Sequence, residues 1–243
     1  MFLGRSRQFR LTHNIRSVLE SEGGHHMLAD FLLYGATGFV GEVIARLAVP
    51  RGLKPILAGR NAARVQALAA ELGVPCRVFR LENSAALDEA LKEVVGVLHC
   101  AGPFIYTAKP MVDGCLRTGA HYLDISGAIV DLEAVVRRDG EAKARRVMLL
   151  PGAGFDVVPT DCLALHLKQR LPSATHLALA FYSQGSTKLP PGTLNTLLDG
   201  LPRQKPGVIV RRNGELESVP PGKWRMTFGH CLVRSRWRSL RRG

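Results

Sequence analysis

Six short aliphatic runs separated by stretches of helical spacing occupy residues 30–150, and this alternation restricts the possible folds more than any other feature of the chain. The runs fall at 30–34, 55–58, 77–81, 96–100, 121–125 and 147–150. Between them, 38–48, 62–72, 85–95, 109–118 and 131–146 read as helices, the last one long and charged. Val40, Ile44 and Leu47 share one face of the first, Gly73 and Gly119 stand where two of the helices stop, and Ser84 is placed to cap the third. Strands alternating with helices in one series predict parallel pairing, because parallel neighbours need a crossover and the crossover helices then cover the sheet faces. A sandwich or a helix bundle does not produce this order.

The first strand-to-helix junction carries Gly35-Ala36-Thr37-Gly38-Phe39-Val40-Gly41, a G-x-x-G-x-x-G string. In that position the first glycine permits a tight turn, the second lets backbone approach a pyrophosphate, and the third lets the helix pack close to the sheet. The helix then offers free N–H groups and the positive end of its dipole to phosphate. These seven residues are the first candidate cofactor contacts. The fold class that follows is α/β, a Rossmann-type doubly wound parallel sheet. The divisions expected are a disordered leader at 1–26, the dinucleotide-binding domain at 27–163, a smaller, partial second domain at 164–222, and a basic tail at 223–243. A hairpin centred on Asn213-Gly214, spanning 208–219, belongs to the partial domain.

Cofactor choice is written at the end of the second strand, where a carboxylate accepts from the ribose hydroxyls of NAD and a basic residue meets the 2′-phosphate of NADP. No acidic residue occurs between Glu42 and Glu71. The strand ends instead in Gly59-Arg60-Asn61, and Arg60 follows Gly41 by 19 residues, so NADP is the expected cofactor. Ligands of open α/β sheets bind beyond the carboxyl ends of the strands. After the fourth strand, Cys100, Ala101, Gly102 and Pro103 are placed to pass against the cofactor. The fifth strand contributes Asp124 and the sixth is followed by Asp156; these two are the candidate catalytic residues, each ordering the site or moving a proton, while Asp161 fits the first turn of a helix starting near Thr160.

The chain has no G-x-S-x-G elbow, P-loop lysine or H-E-x-x-H, and no metal site is expected. Tyr106 and Lys109 are three apart, one short of the Y-x-x-x-K spacing of short-chain dehydrogenases. The five cysteines, Cys76, Cys100, Cys115, Cys162 and Cys231, lack C-x-x-C or zinc spacing and read as reduced, mostly buried thiols of a cytoplasmic protein. No apolar run is long enough to span a membrane; the best, 94–105, is broken by His99, Gly102 and Pro103. Residues 1–26 lack the apolar segment of a secretory signal and read as an unstructured leader or an early translation start before Met27, with an organellar transit peptide as the alternative.

A net charge of +13 with a pI near 10.1 would ordinarily point to nucleic acid. Its distribution argues otherwise: residues 1–26 hold +2 and residues 223–243 hold +7, leaving +4 of the +13 to residues 27–222. No nucleic-acid partner is therefore expected, although the basic ends keep that function as an alternative.

Five ordered motifs, YGATGFVG at 34–41, LAGRN at 57–61, CAGPF at 100–104, GAHYLDISG at 119–127 and GFDVVPTD at 154–161, resemble the saccharopine dehydrogenase-like oxidoreductases, a family that includes trans-acting enoyl reductases. The resemblance implies an NADP-binding Rossmann domain, a second, smaller α+β substrate domain that completes a cleft and is here partial, at 164–222, and hydride transfer to or from a nicotinamide. It departs from the family in two places. Ala128 stands where relatives carry Glu, and the chain is shorter, its C-terminal end resembling a truncated or frame-altered one. The expected function is an NADP(H)-dependent oxidoreductase acting on a small-molecule or acyl substrate, possible as a homo-oligomer. The alternative is a non-catalytic NADP(H)-binding sensor or regulatory protein.

Overall fold

The structure is a computed structural model that describes residues 31–177, 192, 194, 208–212 and 215–219. Strands β1 (Phe31–Tyr34), β2 (Ile56–Gly59), β3 (Cys76–Val78), β4 (Gly96–His99), β5 (His121–Asp124) and β6 (Leu149–Leu150) form one sheet in the order β3-β2-β1-β4-β5-β6. All five pairings are parallel. The order reverses between β1 and β4, which makes this a Rossmann-type doubly wound sheet with its switch point at that junction.

Helices α1 (Phe39–Ala48), α2 (Ala62–Leu72), α3 (Ser84–Leu91), α4 (Phe104–Thr118), α5 (Ile129–Val136), α6 (Asp139–Arg145) and α7 (Val158–Arg170) connect and follow the strands. Alternation along each strand sends side chains to two different cores. Leu33 and Leu57 face Ala45, Val65, Leu68 and Ala69 of α1 and α2. Leu32, Val97 and Tyr122 face Leu87 and Leu91 of α3 and Met111, Val112 and Cys115 of α4. Burial of both faces explains why the central strands β1, β2 and β4 read as nearly continuous apolar runs.

Four expectations about local structure need correction. The fourth helix starts at Phe104, not Lys109, so Pro110 lies inside it; Pro103, with φ −70°, sets the chain into the helix and the Thr107 hydroxyl caps the carbonyls of Ala101 and Pro103. The expected helix over 131–146 is two helices, broken around Arg138, whose guanidinium is shared between Asp113 of α4 and Glu141 of α6. Asn83 caps α3, its Oδ1 accepting from the Ala86 N–H at 3.0 Å, in place of Ser84. Of the cysteines, Cys115 is buried and Cys76 and Cys100 are half-buried, but Cys162 on α7 is exposed; Cys231 lies outside the described residues. The four described thiols are free.

Helix α7 runs unbroken across the expected 163/164 boundary, with Asp161 in its first turn. Strands β7 (Val208–Arg212) and β8 (Glu215–Val219) form a separate antiparallel pair, Arg212 opposite Glu215, in the place expected for the hairpin. The leader, the basic tail and most of the 164–222 segment lie outside the described residues. No helix among the described residues is long and apolar enough to cross a membrane.

Among the described residues one histidine is fully buried. His99, at the end of β4, is fully buried among the rings of Tyr34, Phe104 and Tyr122. Its Nε2 lies 3.0 Å from Thr107 Oγ1, and the Thr107 hydroxyl lies 2.7 Å from the Ala101 carbonyl oxygen. A hydroxyl that gives its proton to that carbonyl can only accept from the ring, so Nε2 carries the hydrogen and Nδ1, which has no partner, is bare. Burial pushes the imidazole down from 6.5 to about 4, against the opposing pull of the Asp124 charge. The folded-state value lies below the unfolded one, so the unfolded chain takes up the extra proton in the window between 6.5 and 4 and stability falls as pH is lowered through it. Urea titrations from pH 7 to pH 4.5 should show a loss on the order of 2 kcal/mol attributable to this group, and His99→Gln should remove that part of the slope. Identical pH slopes for the two proteins would refute the assignment.

Candidate functional site

The turn after β1 is fixed by backbone. The N–H groups of Gly35 and Ala36 both donate to the Ala58 carbonyl at the end of β2, at 2.9 and 3.1 Å, and the Gly38 N–H donates to the Gly35 carbonyl at 2.9 Å. Gly35 has φ +83°, and a Cβ there would stand 2.8 Å from the Ala101 nitrogen and 2.9 Å from the Cys100 carbonyl carbon. At Gly41 a Cβ would overlap the Gly35 carbonyl oxygen, so the first turn of α1 lies directly on the glycine turn. Gly38 occupies the N-cap, and the first helical bond runs from the Glu42 N–H to the Gly38 carbonyl. The amides of Phe39, Val40 and Gly41 therefore precede the intrahelical ladder, where an anion is favoured by both hydrogen bonding and the helix dipole. Phe39 and Val40 carry exposed side chains at this helix start.

At the end of β2, Gly59 is buried and Arg60 is exposed with no hydrogen-bond or ion-pair partner among the described residues. Asn61 is used locally: its Oδ1 caps α2 by accepting from the Arg64 N–H at 3.1 Å. Arg64 Nη2 reaches across to the glycine turn and donates to the Thr37 carbonyl at 2.9 Å. That link is invisible in the sequence, where Arg64 looks like any arginine on a solvated helix face; the signal available was its place one helical turn beyond Arg60. Tyr34, at the end of β1, has its hydroxyl pushed up to about 12 by burial and by Glu82, with Arg60 and Arg80 pulling the other way. Arg80 is a further basic residue near this corner that no sequence motif marks.

The loop after β4 enters the same corner. The Cys100 N–H donates to the Tyr34 carbonyl at 2.8 Å, and Cys100 and Ala101 are the residues against which Gly35 packs. Burial, then the Asp124 charge, pushes the Cys100 thiol up to about 12, so it stays protonated and lines the turn as a small, weakly polar side chain. Gly102 is exposed and Pro103 is the N-cap of α4.

Asp124 is fully buried and fully engaged. Its Oδ2 accepts from the Tyr122 hydroxyl at 2.6 Å; its Oδ1 accepts from the Ser126 N–H at 2.9 Å, the Ser126 hydroxyl at 2.7 Å and the Gly152 N–H at 2.8 Å. The Asp124 carbonyl also accepts from the Ala153 N–H at 2.6 Å. One residue thereby joins the loop after β5 to the loop after β6. The Tyr122 hydroxyl is pushed up by burial and by Asp124, and the Asp131 carboxyl of α5 is pushed up by the same two causes. Asp156 is exposed, and its carboxylate lies against Gly127, where a Cβ would stand 2.8 Å from Oδ2. Ala128 is the N-cap of α5 and supplies no side-chain cap.

The structure thus brings Gly35–Gly41, Cys100, Ala101 and the Arg60–Arg64 corner together at the switch point, and brings Asp124, Gly127 and Asp156 together beyond β5 and β6. No group of three or more metal-ligating side chains occurs among the described residues. Two surface hollows lie elsewhere, one of about 470 Å³ beside Arg77, Phe79 and Ala90 and one of about 340 Å³ beside Asp113, Arg117 and Arg138; neither touches these residues.

Residues 31–149 match the family model described as the saccharopine dehydrogenase NADP binding domain. The saccharopine dehydrogenase-like oxidoreductase of Homo sapiens is 27% identical over 160 residues, covering 58% of this chain and 37% of the human one. A trans-acting enoyl reductase of Mycobacterium leprae is 31% identical over 150 residues, covering 58% and 36%. Among solved structures, the L-Glu-forming saccharopine dehydrogenase of Saccharomyces cerevisiae superposes with a TM-score of 0.53 at 20% identity, over 60% of this chain and 32% of that one, a likeness of fold. The chain spans less than two fifths of the length of these two curated relatives. Sheet order, glycine turn and family match coincide on the same stretch, and through residues 31–149 the chain belongs to the saccharopine dehydrogenase NADP-binding domain family.

Proposed function

We propose that this chain binds NADP(H) across the β1/β4 switch point and acts as an NADP(H)-dependent oxidoreductase on a small-molecule or acyl substrate. The observation that carries the reading is the glycine cradle at Gly35 and Gly41, closed against Cys100 and Ala101, beside an Arg60 that no carboxylate of the described residues occupies. These residues fit the cofactor. The amides of Phe39, Val40 and Gly41 would hold its diphosphate, Arg60 its ribose phosphate, and the Cys100–Pro103 loop would pass along its nicotinamide half. When bound, the cofactor supplies hydride transfer at the nicotinamide ring.

The two candidate carboxylates then divide into different tasks. Asp124 has no exposed oxygen and four donors already aimed at it, so its task is to hold the β5 and β6 loops at one height along the carboxyl edge. Asp156 is exposed beside Gly127 and is the carboxylate that can reach a substrate proton. The family descriptions of the relatives, an oxidoreductase and an enoyl reductase, support the reaction class. A second reading, a non-catalytic NADP(H) sensor, is favoured by Ala128, a methyl group where the resemblance calls for Glu.

Arg60→Ala should raise the dissociation constant for NADPH on the order of 10- to 100-fold while leaving NADH binding within about twofold, as read by cofactor fluorescence. Equal losses for both cofactors would remove Arg60 from the 2′-phosphate. Asp124→Asn should cost about 1–3 kcal/mol in urea denaturation, because an amide cannot accept from all four donors. Asp156→Asn should leave stability within about 0.5 kcal/mol and depress turnover with NADPH. NADPH binding without oxidation by any carbonyl, imine or enoyl compound would select the sensor reading.

A further inference from the structure

Dinucleotide binding at the switch point assigns Arg60 but leaves Arg64 without a task, although it lies one helical turn away and makes the more definite contact. Its main chain is fixed twice: the N–H is held by the Asn61 side chain, and the next residue, Val65, is fully buried under Gly59. Its guanidinium is committed to the Thr37 carbonyl at 2.9 Å.

The Thr37 carbonyl and the Gly38 N–H belong to one peptide plane and point in opposite directions. The Gly38 N–H donates to the Gly35 carbonyl at 2.9 Å. The plane is therefore held at both ends, by Gly35 on one side and by Arg64 on the other. Gly38 has no side chain to restrain this peptide, and glycine backbone is the costliest to order. The same peptide sets the direction in which the next amides, those of Phe39 and Val40, leave the N-cap.

Resting on the dinucleotide reading, we infer that Arg64 is a positioning residue for the diphosphate turn: it clamps the Thr37–Gly38 peptide and thereby orients the α1 amides toward the part of the cofactor common to NADP and NAD. Arg60 discriminates between the two cofactors and Arg64 does not. Lysine, which can also donate to a carbonyl, serves at this position; a neutral side chain of the same length does not.

The test uses the whole chain with NADPH, NADH and ADP-ribose titrated against wild type, Arg64→Met and Arg64→Lys, and with thermal unfolding of each protein. The expected result is that Arg64→Met weakens all three ligands by a similar factor, roughly 5- to 30-fold, and that Arg64→Lys recovers most of it, with melting temperatures matching the wild type. A loss confined to NADPH would make Arg64 a phosphate ligand and overturn the inference, as would unchanged affinity for all three or a loss that follows a lowered melting temperature. Wild-type protein that binds none of the three ligands would overturn the dinucleotide reading itself, and a wild type that binds them while Arg64→Met is unaffected would overturn only the clamp.

Discussion

Gly35 brings the turn after β1 against the backbone of Cys100 and Ala101 so closely that no side chain fits between them. Three strands end at this point. The turn donates two hydrogen bonds to the Ala58 carbonyl of β2, and the Cys100 N–H donates one to the Tyr34 carbonyl of β1, so β1, β2 and β4 are registered against one another by main chain alone. Gly41 then sets α1 down on the same turn. Displacing this packing by the width of a methyl group would shift α1, the Cys100–Pro103 loop and the Arg60 corner together, because interiors packed at crystal density do not absorb such changes locally. The cradle is therefore a consequence of how the sheet reverses direction, and the candidate site comes with the fold.

A second, polar fixture works farther along the carboxyl edge. Asp124 ends β5 where His99 ends β4, the two being register partners. Their burial is tolerable for different reasons. Asp124 is surrounded by donors, whereas the imidazole is held neutral and needs only Thr107. Both fixtures act on loops: Thr107 joins His99 to the Ala101 and Pro103 carbonyls, and Asp124 joins Ser126 to Gly152. The loops that would meet a cofactor and a substrate are thus ordered from beneath by buried side chains, leaving their outer surfaces free.

The alternation of runs and helices made the parallel sheet legible, because its central strands β1, β2 and β4 are largely apolar and largely buried on both faces. Boundaries were less legible where one residue admits two roles. Pro110 reads most naturally as a first-turn residue, yet α4 has already begun at Phe104, five residues before Lys109, with the Tyr106 N–H bonded to the Pro103 carbonyl. Ser84 and Asn83 are both good caps, and the choice falls to whichever side chain reaches the Ala86 amide. The glycine turn was readable since its glycines answer to local geometry. The network of Asp124 was not, since it depends on Gly152, 28 residues away, and the Arg64 contact spans 27 residues to Thr37. A sequence shows which residues can hold charge and hydrogen bonds, and folding decides which of them are already engaged.

The same distinction separates the arginines of this domain. Several of its arginines have carboxylate partners: Arg46 pairs with Glu42 and Glu71, Arg117 with Asp88 in a two-pronged contact, and Arg138 with Asp113 and Glu141. Exposed pairs of this kind add little to stability, but each carboxylate cancels the field of its arginine within a Debye length. Arg60 has no such partner among the described residues, and Arg64 is bonded to a carbonyl, which has a dipole but no charge, so its full positive charge persists. Both stand beside the turn whose amides lead into α1. Arg60 and Arg64 therefore keep unneutralised charge beside the amides of the glycine turn, where hydrogen bonding, helix dipole and side-chain charge all favour an anion.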